Sequence, residues 1–148
     1  MQGTFGNVLK AYFLDSPNLI PLSEMPCIYV EPITTEIDVA DTGRDQWTYT
    51  IDVGIVIDAK QELLKYKKEM VGTRYLTELM EARTDAGVLK PNTILYILRH
   101  NLTLGSNWMI GNISSVDYSL RIRGTAPDTF VTKEAKCRLT IIQMTNRE

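Results

Sequence analysis

The chain has 148 residues, 44% of them hydrophobic and 23% charged, with a formal net charge of −2. That length fits one domain able to bury most of its apolar surface, and the composition is that of a globular chain rather than a disordered or fibrous one. The charge argues against a dedicated nucleic-acid binder, which usually shows a basic balance or a dense basic stripe.

The charge is unevenly spread. Residues 1–45 carry two basic and seven acidic groups, whereas residues 90–148 carry eight and four. An acidic surface on one copy could therefore meet a basic surface on another; pairing within one subunit is the alternative. No apolar run approaches the ~20 residues needed to cross a bilayer, and the N-terminus lacks the basic and small-residue features of a signal peptide.

In chain order, Phe5, Val8, Leu9 and Tyr12 fall at helical spacing behind Thr4, which predicts a short amphipathic helix ended by Ser16-Pro17-Asn18. Pro21 and Pro26 keep the next segment extended or turned. Cys27–Val30 reads as a short strand stopped by Pro32, and residues 33–46 as an acidic, mobile loop or hairpin tip rich in turn formers. Gln46–Asp58 carries the clearest strand signal: Trp47, Tyr49, Ile51, Val53, Ile55 and Ile57 alternate with polar or small residues. Thirteen residues at about 3.3 Å each exceed an ordinary strand and imply extension into a hairpin or an intersubunit contact.

Asp58 is placed to cap an amphipathic helix from Lys60 to Arg83, with apolar stripes at Leu63, Tyr66 and Met70 and at Leu64, Val71, Tyr75 and Leu79. Thr84–Pro91 is a loop, and Asn92 is placed to cap a brief helix over 93–100. Then Val116, Tyr118, Leu120 and Ile122 alternate with Asp117, Ser119, Arg121 and Arg123, and Ala135, Cys137, Leu139 and Ile141 alternate after a polar loop. These predict two antiparallel strands sharing one buried face. The expected fold is a single α+β domain, a mostly antiparallel sheet covered on one face by one long and one or two short helices.

No catalytic motif emerges. His100, the single histidine, sits where a helix C-terminus favours it. Cys27 and Cys137 lie in apolar runs and read as buried thiols, so a zinc ligand set is lacking. The glycines form neither a phosphate loop nor a nucleophile elbow. No cofactor or metal is expected. Arg121, Arg123, Lys136 and Arg138 all fall on the polar face of the last strand pair and call for acidic partners, since like charges on neighbouring strands destabilise a sheet. Those partners are either on this chain's own helix (Glu62, Glu69, Glu78) or on the acidic 31–45 segment of a neighbouring subunit.

The order of elements resembles the tail terminator (tail completion, head-to-tail joining) proteins of long-tailed bacteriophages. The resemblance runs from Pro26-Cys27-Ile28-Tyr29-Val30 through the strand at 46–58 and the helix at 60–83. It continues in the turn Leu102-Thr103-Leu104-Gly105, the segment Trp108–Ile113 and the closing pair with Tyr118 and Ala135-Cys137-Leu139-Ile141. It implies a non-enzymatic virion protein forming a hexameric ring on the head-proximal end of the tail tube. Such a ring ends tube polymerisation and offers a surface to the head connector or stopper protein. The implied partners are further copies of the chain, the tail tube protein and that connector, with DNA passing through the channel without sequence-specific binding. The residues assigned to assembly are Glu36, Asp38, Asp41, Arg44 and Asp45 on the acidic segment and Arg121, Arg123, Lys136 and Arg138 on the sheet. A different neck or head-completion protein is the alternative within the structural class, and a small ligand-binding or enzymatic α+β domain the alternative outside it.

Overall fold

The computed structural model describes residues 9–15, 20–59, 74–101 and 107–147. Five strands form one mixed sheet in the order β1-β2-β3-β5-β4. They are β1 (Ala11–Leu14), β2 (Cys27–Asp41), β3 (Arg44–Asp58), β4 (Trp108–Arg123) and β5 (Phe130–Asn146). Two short helices, α1 (Arg74–Glu81) and α2 (Ile94–His100), complete a fold that is α+β and mostly sheet. Among the described residues, no helix is long and apolar enough to cross a membrane.

The alternation over Gln46–Asp58 becomes β3, which starts two residues earlier, at Arg44, and pairs antiparallel with β2 on one side and β5 on the other. Register assigns the faces. Ile51, Val53, Ile55 and Ile57 of β3 stand beside Leu139, Cys137, Ala135 and Lys133 of β5. The apolar members of this set join Leu76, Leu79 and Met80 of α1 and Ile94, Leu95 and Leu98 of α2 in one buried cluster. On the opposite face Val56, Cys27 and Tyr29 pack with Ile20 and Met25 into a second, smaller cluster. β3 is therefore buried on both sides from Asp52 to Ile57.

Tyr29 fits this second cluster because its strand neighbour is Gly54. A Cβ on Gly54 would come within 2.2 Å of the Tyr29 ring, so only a glycine lets the phenol lie flat across β3. The α2 N-terminus is capped by Thr93, whose Oγ1 accepts from the Tyr96 amide at 3.3 Å, rather than by Asn92.

Four sequence expectations are corrected. Tyr12 belongs to β1, which runs parallel to Cys27–Val30, and not to a helix; Thr4, Phe5, Val8 and Ser16-Pro17-Asn18 lie outside the described residues. β2 does not stop at Pro32, which keeps its place opposite Ile51; the register shift that follows leaves Ile33 without a partner on β3, and the ladder resumes at Thr34. Residues 33–41 are thus strand, and only the turn at Asp41–Arg44 is a hairpin tip. Lastly, Leu120 and Ile122 share a strand face with Val116 and Tyr118 yet are exposed, so the common buried face of β4 and β5 ends at Tyr118. Of the helix expected over 60–83, the Arg74–Glu81 part is present, and residues 60–73 lie outside the described set.

Candidate assembly surface

Fifteen residues of β3 span about 50 Å, of which Asp52 to Ile57 are buried. Exposure rises along the sheet in the direction away from Asp58. There β2 is exposed at every position from Pro32 to Asp41, while β3 from Asp45 to Ile51 is half-buried.

One face of this arm is apolar and aromatic. Ile37, Trp47, Gln143 and Trp108 stand in one row across four strands. Trp47 stacks on Tyr49 at 6.2 Å between ring centroids, and Tyr49 lies 5.2 Å from Trp108. The rings keep their polar ends satisfied: the Trp47 indole donates to Thr145 Oγ1 at 3.0 Å, and the Tyr49 hydroxyl donates to Gln143 Oε1 at 3.2 Å. Beyond them Ile37 and Val39 are exposed at 55% and 69%. The other face carries Glu36 and Asp38 alongside Met109 and Met144, all exposed. Among the described residues β2 is exposed on both faces from Pro32 to Asp41, whereas Tyr49 and Trp108 are half-buried and pack against the edge of the core cluster.

The acidic segment is tied at its tip. Asp41 accepts from the Gly43 amide at 3.0 Å and from Arg44 Nε at 2.8 Å, which holds its carboxyl below the usual carboxylate range. Asp45 accepts from Arg147 Nε at 2.6 Å, closing the tip against the end of β5. Of the segment's candidate residues, Asp41, Arg44 and Asp45 shape the turn, and Glu36 and Asp38 stand exposed on β2.

The four basic candidates find acids in their own sheet. Asp52 of β3, fully buried, accepts from Lys136 Nζ at 3.0 Å and from Arg138 Nε and Nη2 at 2.8 and 2.9 Å. The Arg138 hydrogen bonds hold the Asp52 carboxyl below its ordinary pKa, against the burial that raises it. Glu134 of β5, also buried, is bonded by Arg123, whose Nε lies 3.1 Å from Oε1, and Arg121 Nε stands 3.2 Å from Oε2 as an ion pair. Arg123 itself is buried, not solvent-facing, and its Nε also reaches Thr132 Oγ1 at 3.3 Å. Within the chain the partners are thus cross-strand carboxylates; Glu78 lies 3.6 Å from Arg74, and Glu62 and Glu69 lie outside the described residues. The signal that could have found them was Asp52 itself, a lone acid in an apolar strand, which must be paired if buried.

Other reactive groups are structural. Burial pushes the Cys27 and Cys137 thiols up to about 12, so both are protonated and unreactive at neutral pH. The Tyr118 hydroxyl donates to Glu81, tying β4 to α1, and burial followed by that bond raises its pKa. His100 stacks on Tyr96 at 3.8 Å with Nδ1 2.9 Å from the Tyr96 carbonyl. Among the described residues no cluster of His, Cys, Asp and Glu could hold a metal ion. Two shallow hollows, of about 280 and 190 Å³, each have one titratable group in their walls, Asp58 and Arg99 respectively. The chain matches no protein-family model, and no curated protein is significantly similar to it.

Proposed function

We propose that this protein is a structural virion protein of the tail-terminator kind, forming a hexameric ring on the head-proximal end of a phage tail tube. The ring ends tube polymerisation and presents the joining surface for the head connector. The observation that carries this reading is the outer half of β2, which among the described residues is exposed from Pro32 to Asp41. A monomeric binding domain gains nothing from a hairpin of two 15-residue strands whose outer strand buries no side chain beyond Tyr29. An assembly protein gains a surface that is buried only between subunits. The acidic character of the arm fits a channel through which DNA slides, because affinity for phosphate comes from cationic neutralisation. Residues 31–45 hold five acids and one base.

Negative-stain microscopy and native mass spectrometry of the purified chain, alone and with isolated tail tubes, test the reading. Six-fold rings, or chains that assemble on tube ends and stop their growth, are expected. A stable monomer that ignores tubes contradicts it, and rings that bind the portal side instead favour a neck or head-completion role.

A further inference from the structure

Both edges of the sheet lack a strand neighbour along part of their length. β1 covers only Cys27–Val30 of β2, so among the described residues the outer edge of β2 pairs with nothing from Glu31 to Asp41. The outer edge of β4 is likewise unpaired over its whole length. Such edges display rows of open N–H and C=O groups, and native chains normally interrupt them with bulges. Here the interruptions leave two regular stretches. On β2, Thr34–Val39 lies between the shifts at Pro32/Thr34 and Val39/Asp41. On β4, Ser115–Arg123 is unbroken beyond the shift at Ile113/Ser115.

The two stretches match in side-chain order. Ile37 and Val39 of β2 fall on the sheet face that carries Leu120 and Ile122 of β4, as the register through β3 and β5 dictates. All four are exposed, at 55%, 69%, 66% and 78%. Glu36 and Asp38 fall on the opposite face, the one that carries Arg121 and Arg123. Arg121 keeps 47% of its side chain exposed while pairing with Glu134. Placed side by side as neighbouring strands, the stretches set apolar beside apolar on one face and acid beside base on the other, which is the pairing that stabilises a sheet. Charge favours the same contact at longer range. The β2 arm is acidic, whereas residues 108–147 hold six basic and three acidic groups.

We infer that Thr34–Val39 of one copy adds as a strand to the outer edge of β4, at Ser119–Arg123, of the next copy. Within one subunit the stretches cannot meet. Gln143, in the Ile37 row, and Val131, opposite Ile122, are twelve residues apart on β5, about 40 Å. The contact is therefore heterologous, each copy giving one surface and receiving the other, as a closed ring requires. Taking the partner to be a second copy rests on the ring reading above; the choice of surfaces does not.

The test uses two double variants of the whole chain, Ile37→Asp with Val39→Asp and Leu120→Asp with Ile122→Asp, sedimented alone and mixed. Each alone is expected to stay folded and monomeric at concentrations where the parent assembles. Their equimolar mixture should give a dimer and nothing larger, because one intact arm meets one intact edge. A monomeric parent, variants that still assemble fully, or a mixture that remains monomeric or regains the parent's size overturns the inference. A second measurement spares the surfaces: a short bis-maleimide should link Val39→Cys chains to Leu120→Cys chains in a mixture, and the absence of that heterodimer is equally fatal. Assemblies that obey these rules but cap no tube would defeat the tail-terminator reading alone. Tube-capping rings indifferent to the substitutions would defeat this contact alone.

Discussion

The two halves of β3 obey opposite rules. From Asp52 to Ile57 every residue is buried, with the large cluster on one face and Tyr29, Cys27 and the ion pairs on the other. From Arg44 to Ile51 the same strand is exposed or half-buried, and its neighbour β2 is bare. Both halves pair with the same two strands, but Asp45–Ile51 alternates polar with apolar residues whereas Val53–Ile57 is apolar or glycine at every position. What also differs is what lies above and below them. An alternating sequence specifies a sheet, but only the covering elements decide whether its apolar face holds the subunit together or is left for another molecule.

That contrast can be broken or sharpened by substitution. The largest effect is expected from Ile55→Ala, in the fully buried half, which removes packed atoms and leaves a cavity. Denaturant unfolding should show a loss of about 2–5 kcal/mol. Asp52→Asn comes next. It leaves Lys136 and Arg138 without their carboxylate, but both keep some contact with water, so a loss of about 2 kcal/mol is expected, below the ~3–5 kcal/mol typical of a fully enclosed pair. Its pH dependence has a definite sign. The folded Asp52 carboxyl lies below its ordinary value, so its contribution is complete above the unfolded pKa of about 4 and is lost as pH falls through the depressed one. The stability gap between parent and Asp52→Asn should therefore be flat between neutral pH and about pH 5 and shrink below about pH 4; a gap that widens in acid would refute the assignment.

Gly54→Ala is expected to cost about 1–3 kcal/mol by forcing the Tyr29 ring off the strand. In a Tyr29→Ala background the same change should cost much less, and equal costs in both backgrounds would show that the close approach is not the cause. The smallest effect on folding is expected in the arm.

The same contrast explains what the sequence revealed. The strands over 46–58, 116–123 and 135–141 were legible because each alternates cleanly and lies in a setting where alternation decides. β2 beyond Pro32 was not, since a proline, two threonines and alternating acids look like a loop until β3 supplies the ladder. β1 was ambiguous for another reason: four residues, Ala11–Leu14, fit a helical stripe as well as a strand, and a parallel pairing to β2 settles it. The basic residues of β4 and β5 were rightly read as sharing a polar face that needed acids. Their partners escaped notice because strand order is not written locally. With β5 between β3 and β4, Asp52 lies opposite Arg138 and beside Lys136, 86 and 84 residues away along the chain. Glu36 and Asp38, expected on a loop, stand exposed on β2 instead.

One correction reaches back to the assembly residues. Reversing Arg121 or Arg138 would set a carboxylate beside buried Glu134 or Asp52, so such variants test folding before they test assembly. Assembly is better probed on β2, where side chains are exposed and the fold does not depend on them.

The most direct test of the account is therefore a paired measurement on the Ile37→Asp, Val39→Asp chain: its unfolding free energy and its sedimentation, each against the parent. The account predicts stability within about 0.5 kcal/mol of the parent, as for surface substitutions, together with complete loss of the assembled species. An arm variant that loses several kcal/mol of stability while sedimenting like the parent would contradict it, because the arm would then be holding the subunit together and not joining it to others.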